Sequence, residues 1–250
     1  MHAMESSDPM KPTPKSELPP LLAFGSHPDD VEFGCGGVLV KEARAGRPIH
    51  LVVCSRGEAA THGTPTRRAL EARHAARLLR ASLQFIHLDG DAHLEIRAAH
   101  AIKLAAIIRR TRPALVLAPT LDENQHPDHW RLARLVRDAA RLARYGGVKE
   151  LKKLPPHAIG QLFHYAVTTD PPTAQPILVD VSAPEILSAW TAAMQAYSSQ
   201  TQSRNYIELA LTRARLHGLS AGVGHAIALY AGAAPVVDTL EHLQRSARGF

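Results

Sequence analysis

Short apolar runs and amphipathic segments alternate four times within the first 145 residues of the chain. The runs at 21–26, 48–55, 83–88 and 114–120 are predicted strands, and helices are predicted over 34–45, 66–81, 98–111 and 128–145. Alternation with short connections is typical of right-handed βαβ crossovers. We therefore expect a Rossmann-like α/β fold, a mostly parallel sheet with helices on both faces. Its active site should lie at the C-terminal ends of the strands.

The rest of the chain is less regular. An exposed loop is predicted after residue 146, followed by two further strands in QLFHYAVTT and PILVDVS. Residues 183–217 are predicted to form two helices joined near 199–203. Because no linker is long enough to separate domains, we expect a single domain over 21–250. Residues 1–20 lack an apolar period and are expected to form a disordered tail.

The composition favours a globular protein over disulfide-rich, membrane and nucleic-acid-binding classes. Hydrophobic residues make up 45% of the chain, enough for a sizeable core, and two cysteines cannot supply a disulfide framework. The sequence contains neither a membrane-length apolar run nor a secretory leader, so we expect a cytoplasmic protein without a membrane partner. The net charge is +6, but the basic residues are scattered among Ala and Leu. We therefore expect no nucleic-acid partner, since no basic run with aromatic neighbours is present.

Two polar clusters directly follow predicted strands. SHPDDVE (26–32) follows the first strand, and DENQHPDH (122–129) follows the fourth. Because parallel strands end at the same edge of a sheet, the two clusters should meet there. They offer imidazoles and carboxylates, and two histidines with one carboxylate are a usual ligand set of catalytic zinc. The sequence therefore predicts a metal site at this edge.

Spacing within the clusters suggests a division of roles. Asp29 and Asp30 are adjacent and cannot point the same way, so one can bind a metal with His27 while the other faces water. His126 and His129 are three residues apart, which places them on one helix face. One can be a ligand while the other reaches substrate. Alternatively, each cluster is an ordinary turn or a helix N-terminus capped by aspartate. Their occurrence at equivalent strand ends favours the site.

The segments HPDDVEFGCGG and HPDH resemble the two signatures of the zinc-dependent deacetylases of the PIG-L/LmbE family. RRALEARHAARLL and LDGD resemble further segments of that family. QLFHY, VDVS, QAYSSQ and RARLHG resemble the bacillithiol branch, whose members deacetylate N-acetylglucosaminyl-malate. The resemblance covers about residues 20–220. HAIAL (225–229) departs from it, because that branch usually carries an aromatic-Ala-Glu-Gly-Phe motif there. This departure leaves the exact substrate open.

The resemblance implies roles for individual residues. His27, Asp30 and His129 would be the metal ligands, and Asp29 would be the general base. His126 would polarise the amide carbonyl or protonate the leaving amine. Asp128 would orient His126, as a carboxylate orients the histidine of a catalytic triad.

Four further residues are candidates for substrate binding. Arg68 would bind an anionic or hydroxyl group of the substrate. Asp91 belongs to the LDGD segment, and Glu58 follows the second strand and so falls at the same sheet edge. Glu58 is alternatively an exposed loop acid. Tyr197, from the C-terminal part of the chain, would reach the site. The same segment places Gln200 within reach of the site as well.

These observations lead to one expected function and two alternatives. The expected function is a metal-dependent hydrolase that removes acetate from an N-acetylglucosamine conjugate, here N-acetylglucosaminyl-malate in bacillithiol-type thiol biosynthesis. The metal would be Zn²⁺, although the same ligands accept Fe²⁺ or Co²⁺. The substrate would be an anionic sugar, and the protein a homo-oligomer, a trimer or hexamer. One alternative keeps the metal site but changes the substrate to another N-acyl sugar or a thiol-conjugate amide. The other is a non-catalytic metal- or nucleic-acid-binding protein, which would not need a second carboxylate at position 29.

Overall fold

Seven strands and six α-helices make up the computed structural model of the chain, which describes residues 18–123, 125–172, 174–202, 204–243 and 246–247. The strands are β1 (Leu21–Gly25), β2 (Ile49–Val53), β3 (Ala81–Phe85), β4 (Leu115–Pro119), β5 (Gln161–Tyr165), β6 (Ile177–Asp180) and β7 (Ala226–Ala231). The helices are α1 (Asp30–Arg44), α2 (Pro65–Leu78), α3 (Ala98–Thr111), α4 (Pro127–Arg144), α5 (Pro184–Gln195) and α6 (Tyr206–Ser220). Residues 1–17 of the expected tail lie outside the described part of the chain.

The strands form one sheet in the order β3-β2-β1-β4-β5-β7-β6. β1 to β5 are parallel, and β7 runs antiparallel to both of its neighbours. The mostly parallel α/β fold predicted from the alternation of elements is confirmed. Strand order reverses between β1 and β4, since β2 and β3 lie to one side and β5 to the other. The crevice at the carboxyl ends of β1 and β4 is therefore the place where folds of this kind bind ligands.

Helices cover the sheet on both faces, and alternate residues of β1 pack against different layers. Leu21 and Ala23 belong to the core formed with α1, α2 and α5. Leu22 and Phe24 belong to the core formed with α3 and α4. Burial on both faces explains why β1 is a continuous apolar run rather than an alternating one. Among the described helices, none combines the length and apolar character needed to cross a bilayer.

Several element boundaries or assignments differ from the sequence predictions, among them β3, which lies at Ala81–Phe85 rather than at 83–88. Helix α1 begins at Asp30 rather than at residue 34, so the polar cluster after β1 includes the helix N-terminus itself. Helix α2 ends at Leu78 because Arg80 adopts a left-handed conformation (φ 54°) that turns the chain directly into β3. Strand β7 was not predicted. Its segment becomes a strand through pairing with β5 and β6, which no local pattern reports.

Gly34 marks a close approach between α1 and β5. A Cβ at this position would lie inside van der Waals contact with the Tyr165 ring. That ring is fully buried, and its hydroxyl donates a hydrogen bond to the Phe24 carbonyl oxygen at 2.7 Å. The ring cannot move aside without losing this bond, so α1 can pack this closely only with glycine at position 34.

We expect Gly34→Ala to lower the free energy of unfolding by about 1–3 kcal/mol, the usual cost of overpacking. The direction of the change is informative, because helix propensity alone would make alanine more stable than glycine by about 1 kcal/mol. Urea denaturation measures the change. Gly147→Ala is the control, since its added Cβ meets nothing within 4 Å. An unchanged or increased stability for Gly34→Ala would contradict the packing argument.

Candidate active site

Asp30 locks the turn that follows β1. Its Oδ2 accepts hydrogen bonds from the backbone N–H groups of Ser26 at 2.8 Å and His27 at 2.9 Å. Its other oxygen, Oδ1, lies 3.0 Å from Nε2 of His129, which comes from the first turn of α4. One buried carboxylate thus holds the β1 turn and faces a histidine from the β4 side of the crevice.

Asp29 precedes α1 in an unusual backbone conformation, with φ 109° and ψ −31°. A non-glycine residue at positive φ costs on the order of 1–3 kcal/mol, and such strain concentrates at functional sites. Although Asp29 holds the N-cap position, its side chain makes no capping hydrogen bond. Its Oδ2 instead accepts a hydrogen bond from Nη2 of Arg68 at 3.2 Å. The interpretation of this segment as an ordinary aspartate-capped turn therefore does not apply.

The second cluster forms the N-terminus of α4. His126 is the N-cap, and its Nδ1 accepts a hydrogen bond from the backbone N–H of Asp128 at 3.2 Å. Pro127 occupies the first helical position, where its missing N–H costs no hydrogen bond. His129, one turn into the helix, is buried, whereas His126 is exposed. The cap is thus a histidine, not Asp128 as the alternative interpretation supposed.

Three imidazoles meet between the two strand ends. The ring centroid of His27 lies 4.6 Å from that of His126 and 5.4 Å from that of His129. One ring nitrogen from each of the three lies within 4.8 Å of the other two. Nδ1 of His129 is buried and has no hydrogen-bond partner. Imidazole nitrogens beside the Asp30 carboxylate suit a divalent transition metal such as zinc. The side chains present therefore suit the metal site expected from the sequence, with ligands His27, Asp30 and His129.

Burial and charge give the two adjacent aspartates different acidities. Burial raises the pKa of Asp29 to about 7, even though the Arg68 guanidinium opposes the rise. Burial would also raise the pKa of Asp30, but His129 and His27 more than offset it and hold that pKa well below its usual range. Burial similarly opposes protonation of His27, yet Asp30 and the neighbouring carboxylates raise its pKa well above the usual value. The carboxylates of the site thus stabilise positive charge on the group beside them, the imidazole of His27.

Asp128 does not orient His126 through its carboxylate, which corrects the expectation from the sequence. Its Oδ2 lies 3.2 Å from Nε2 of His27 and accepts a hydrogen bond from the backbone N–H of Ala92 at 2.7 Å. The start of α4 directs the side chain toward the loop after β3, and only the backbone N–H of Asp128 reaches His126. The carboxylate therefore acts on His27.

Arg68 has protein partners in addition to the substrate contact predicted from the sequence, which stays a prediction. Its guanidinium is buried and donates to the Pro28 carbonyl oxygen at 2.8 Å as well as to Asp29. Nη1 lies 4.0 Å from Oδ2 of Asp91. Arg68 is thus the charge partner of Asp29, and it also lines the cavity.

The other three candidates for substrate binding lie at different depths. Asp91 is buried at the cavity wall, and its Oδ1 is 3.0 Å from Nε2 of His27. Glu58 is exposed and accepts hydrogen bonds from the backbone N–H groups of Arg56 and Asp91. Tyr197 is fully buried in the core, with its ring centroid 6.3 Å from that of Phe33. Neither Glu58 nor Tyr197 is among the described residues lining the cavity, since one supports a loop and the other packs in the core.

A cavity of about 440 Å³ opens onto the cluster. Its polar floor includes Asp29, Asp30 and the three histidines. Its walls include Gln200, which the sequence placed within reach of the site. They also include residues that the sequence analysis did not single out, namely Phe33, Thr61, Val167, Thr168, Tyr206 and Leu209. These residues come from α1, from α6 and from separate loops, and no shared spacing connects them.

Several known proteins are similar to this chain in sequence. The chain is 36% identical over 116 residues to the uncharacterized deacetylase YaiS of Escherichia coli, across 44% of this chain and 61% of that protein. It is 28% identical over 166 residues to the diacetylchitobiose deacetylase of Thermococcus kodakarensis, across 61% of each protein. It is also 30% identical over 145 residues to the 4-oxalmesaconate hydratase of Pseudomonas putida, across 53% of this chain and 56% of that enzyme. The chain thus spans about three fifths of the length of the curated relatives it matches.

A solved structure covers more of the chain. The conserved protein TT1542 from Thermus thermophilus superposes with a TM-score of 0.77 and 32% sequence identity, covering 89% of this chain and 98% of that one. The sequence profile of the PIG-L family, described as GlcNAc-PI de-N-acetylase, matches residues 22–140. That range spans β1 to α4 and contains both polar clusters. Over residues 22–140, a little under half of its length, the chain is therefore similar to the PIG-L family.

Proposed function

We propose that this protein is a divalent-metal-dependent hydrolase that removes the acetyl group from N-acetylglucosamine conjugates. One observation carries the proposal. Two histidines and a carboxylate converge from β1 and β4, and beside them Asp29 is a second carboxylate held at the cavity by strained backbone. The description of the family profile and two deacetylase relatives support the same chemistry.

His27, Asp30 and His129 would hold the cation, which we propose to be zinc, although Fe²⁺ or Co²⁺ suits the same ligands. When bound, the cation would supply Lewis acidity, which polarises a carbonyl and lowers the pKa of water. The backbone N–H groups of Ser26 and His27 fix Asp30, so this ligand is preorganised by the turn after β1. Preorganisation of this kind stabilises the binding geometry before a ligand arrives.

Asp29 performs the proton transfer in this proposal. Its carboxylate accepts a proton from water as the water oxygen bonds to the acetamide carbon. The bond between that carbon and the amine nitrogen then breaks, and Asp29 returns the proton to nitrogen. The products are a free amine and acetic acid, which releases its remaining proton to become acetate. Arg68 keeps the carboxylate in place, because it donates to both Asp29 and the Pro28 carbonyl beside it.

His126 is placed to stabilise charge on the substrate oxygen. Its Nδ1 accepts a backbone hydrogen bond, so Nε2 carries the proton of the neutral ring and remains a donor. Because His126 lines the cavity, this N–H can donate a hydrogen bond to the oxygen of the acetamide carbonyl as negative charge develops there.

The narrower proposal, N-acetylglucosaminyl-malate in bacillithiol-type thiol biosynthesis, is supported by the resemblance of the C-terminal segments to that branch. Among the described residues that line the cavity, Arg68 is the one with a permanent positive charge, and Asp29 already occupies it. We therefore propose N-acetylglucosamine conjugates as the substrate class and make the acidic aglycone an arm of the test.

We expect acetate release from a panel containing N-acetylglucosamine, N,N′-diacetylchitobiose and the malate glycoside. A chelator should abolish release, and added Zn²⁺ should restore it, because the ligand set holds the cation without a covalent link. An enzymatic acetate assay measures each arm. Release that survives exhaustive chelation would contradict the metal assignment, and zinc-loaded protein inert toward every member of the panel would contradict the substrate class.

The hydratase relative provides a second candidate function. Addition of water to a carbon–carbon double bond could use the same metal ligands and the same carboxylate. Incubation with 4-oxalmesaconate separates the two, because hydration removes a conjugated chromophore and releases no acetate. We expect no change in ultraviolet absorbance. Loss of the chromophore together with failure of acetate release would favour the hydratase.

A further inference from the structure

Asp91 is not one of the expected metal ligands, yet its carboxylate lies close to the His27 ring. Its Oδ1 lies 3.0 Å from Nε2 of His27, compared with 3.2 Å for Oδ2 of Asp128. Both carboxylates are buried, and both approach the same ring nitrogen. The loop after β3 and the first turn of α4 thus converge on one edge of one imidazole.

The Asp91 side chain is held in place from two directions. Its Oδ2 accepts a hydrogen bond from the backbone N–H of Ala59 at 3.1 Å. Its own backbone N–H donates to Oε2 of Glu58 at 3.2 Å, so two neighbouring loops are tied together reciprocally. The surrounding loop contains Asp89 and Ala92 at positive φ, 61° and 65°, a conformation that non-glycine residues rarely adopt. This strained and fixed loop presents Oδ1 of Asp91 to His27.

Two carboxylates at one nitrogen decide which ring nitrogen carries a proton. A carboxylate only accepts hydrogen bonds, so Nε2 of His27 must be the donor. In the neutral ring, the form that binds a metal, Nδ1 is then the atom left with a lone pair, and it lies 3.5 Å from Oδ2 of Asp30. Histidines that bind metals usually donate their second N–H to such a partner, which fixes the tautomer and the ring orientation.

We propose that Asp91 is a positioning residue that holds His27 with its proton on Nε2, so that Nδ1 is the atom that binds the cation. This inference rests on the proposed function only in taking His27 as a ligand. Asp128 shares the task, but its Oδ2 is also engaged by the backbone N–H of Ala92 at 2.7 Å. In this proposal Asp91 acts on the metal through His27.

Zinc affinity measured without substrate tests the proposal. The full chain, freed of metal, competes for Zn²⁺ with a chromophoric chelator. We expect Asp91→Ala to weaken zinc binding by about 10- to 100-fold, the usual effect of losing such a partner. Asp91→Asn should lose less, because its amide oxygen still accepts from Nε2. The control is Asp89→Asn in the same loop, whose carboxylate pairs with Arg97 and His100 and should leave affinity unchanged.

A second readout needs no variant. In zinc-loaded wild type, long-range ¹H–¹⁵N correlations of the histidine rings should show Nδ1 of His27 as the coordinated nitrogen and Nε2 as the protonated one. Coordination through Nε2 would overturn the proposal even if Asp91→Ala failed to fold. Wild-type zinc affinity in a folded Asp91→Ala variant would also overturn it. Absence of acetate release would reject the proposed function alone, since neither measurement here involves substrate.

Discussion

Replacing Asp29 by asparagine is expected to lower kcat for acetate release by about 10²–10⁴-fold, the usual contribution of a general base, while zinc stays bound. Asparagine has the same shape and tolerates positive φ, so the backbone at φ 109° can persist. It still accepts the hydrogen bond from Arg68 but cannot take up a proton. Single-turnover kinetics and zinc content, measured on the same sample, report the two effects separately.

Asp30→Asn is the matched comparison for this prediction. Its amide oxygen can still accept from the backbone N–H groups of Ser26 and His27, so the turn is retained. The ionised oxygen that faces His129 is lost. Removing a residue that only supports a metal ligand lowers metal affinity by about 10- to 100-fold, and we expect the loss of zinc affinity in Asp30→Asn to be larger. If both variants lost zinc equally and kept equal activity after reconstitution, the division of roles between Asp29 and Asp30 would be wrong.

Arg68→Ala is expected to lower kcat/KM by about 10- to 100-fold on acidic and neutral substrates alike. A hydrogen bond to a charged group contributes about 1.5–3 kcal/mol, and this one holds Asp29 rather than an aglycone. Kinetics on the malate glycoside and on N,N′-diacetylchitobiose provide the comparison, and the ratio of the two kcat/KM values should match that of wild type.

Arg67→Ala is the control for this second prediction. Arg67 precedes Arg68 on the same helix turn, is exposed, and contacts Glu71 and Ser198 rather than the cavity. We expect its kinetics to remain close to wild type. A loss confined to the acidic glycoside in Arg68→Ala would instead mean that the guanidinium reaches the substrate, as the sequence analysis expected.

Much of the fold was predictable because it follows from local patterns. The apolar runs of β1, β2 and β4 and the helical period of α3 are visible in the chain, and α3 spans the predicted residues 98–111. The rule that parallel strands end at one edge then brings His27 and His129 together from positions about one hundred residues apart. Strand β7 escaped prediction, since it depends on pairing with distant strands.

By itself, then, the sequence determined the α/β architecture and the meeting of the two polar clusters, because periodicity and strand direction are properties of short segments. Only the tertiary structure decided the direction of each side chain within the site. Arg68 could have reached outward, but the position of α2 sends it to Asp29. Asp128 could have faced His126, but the start of α4 sends it with Asp91 to His27. These choices depend on how packed elements approach one another across the crevice, and residue spacing along the chain does not encode that approach.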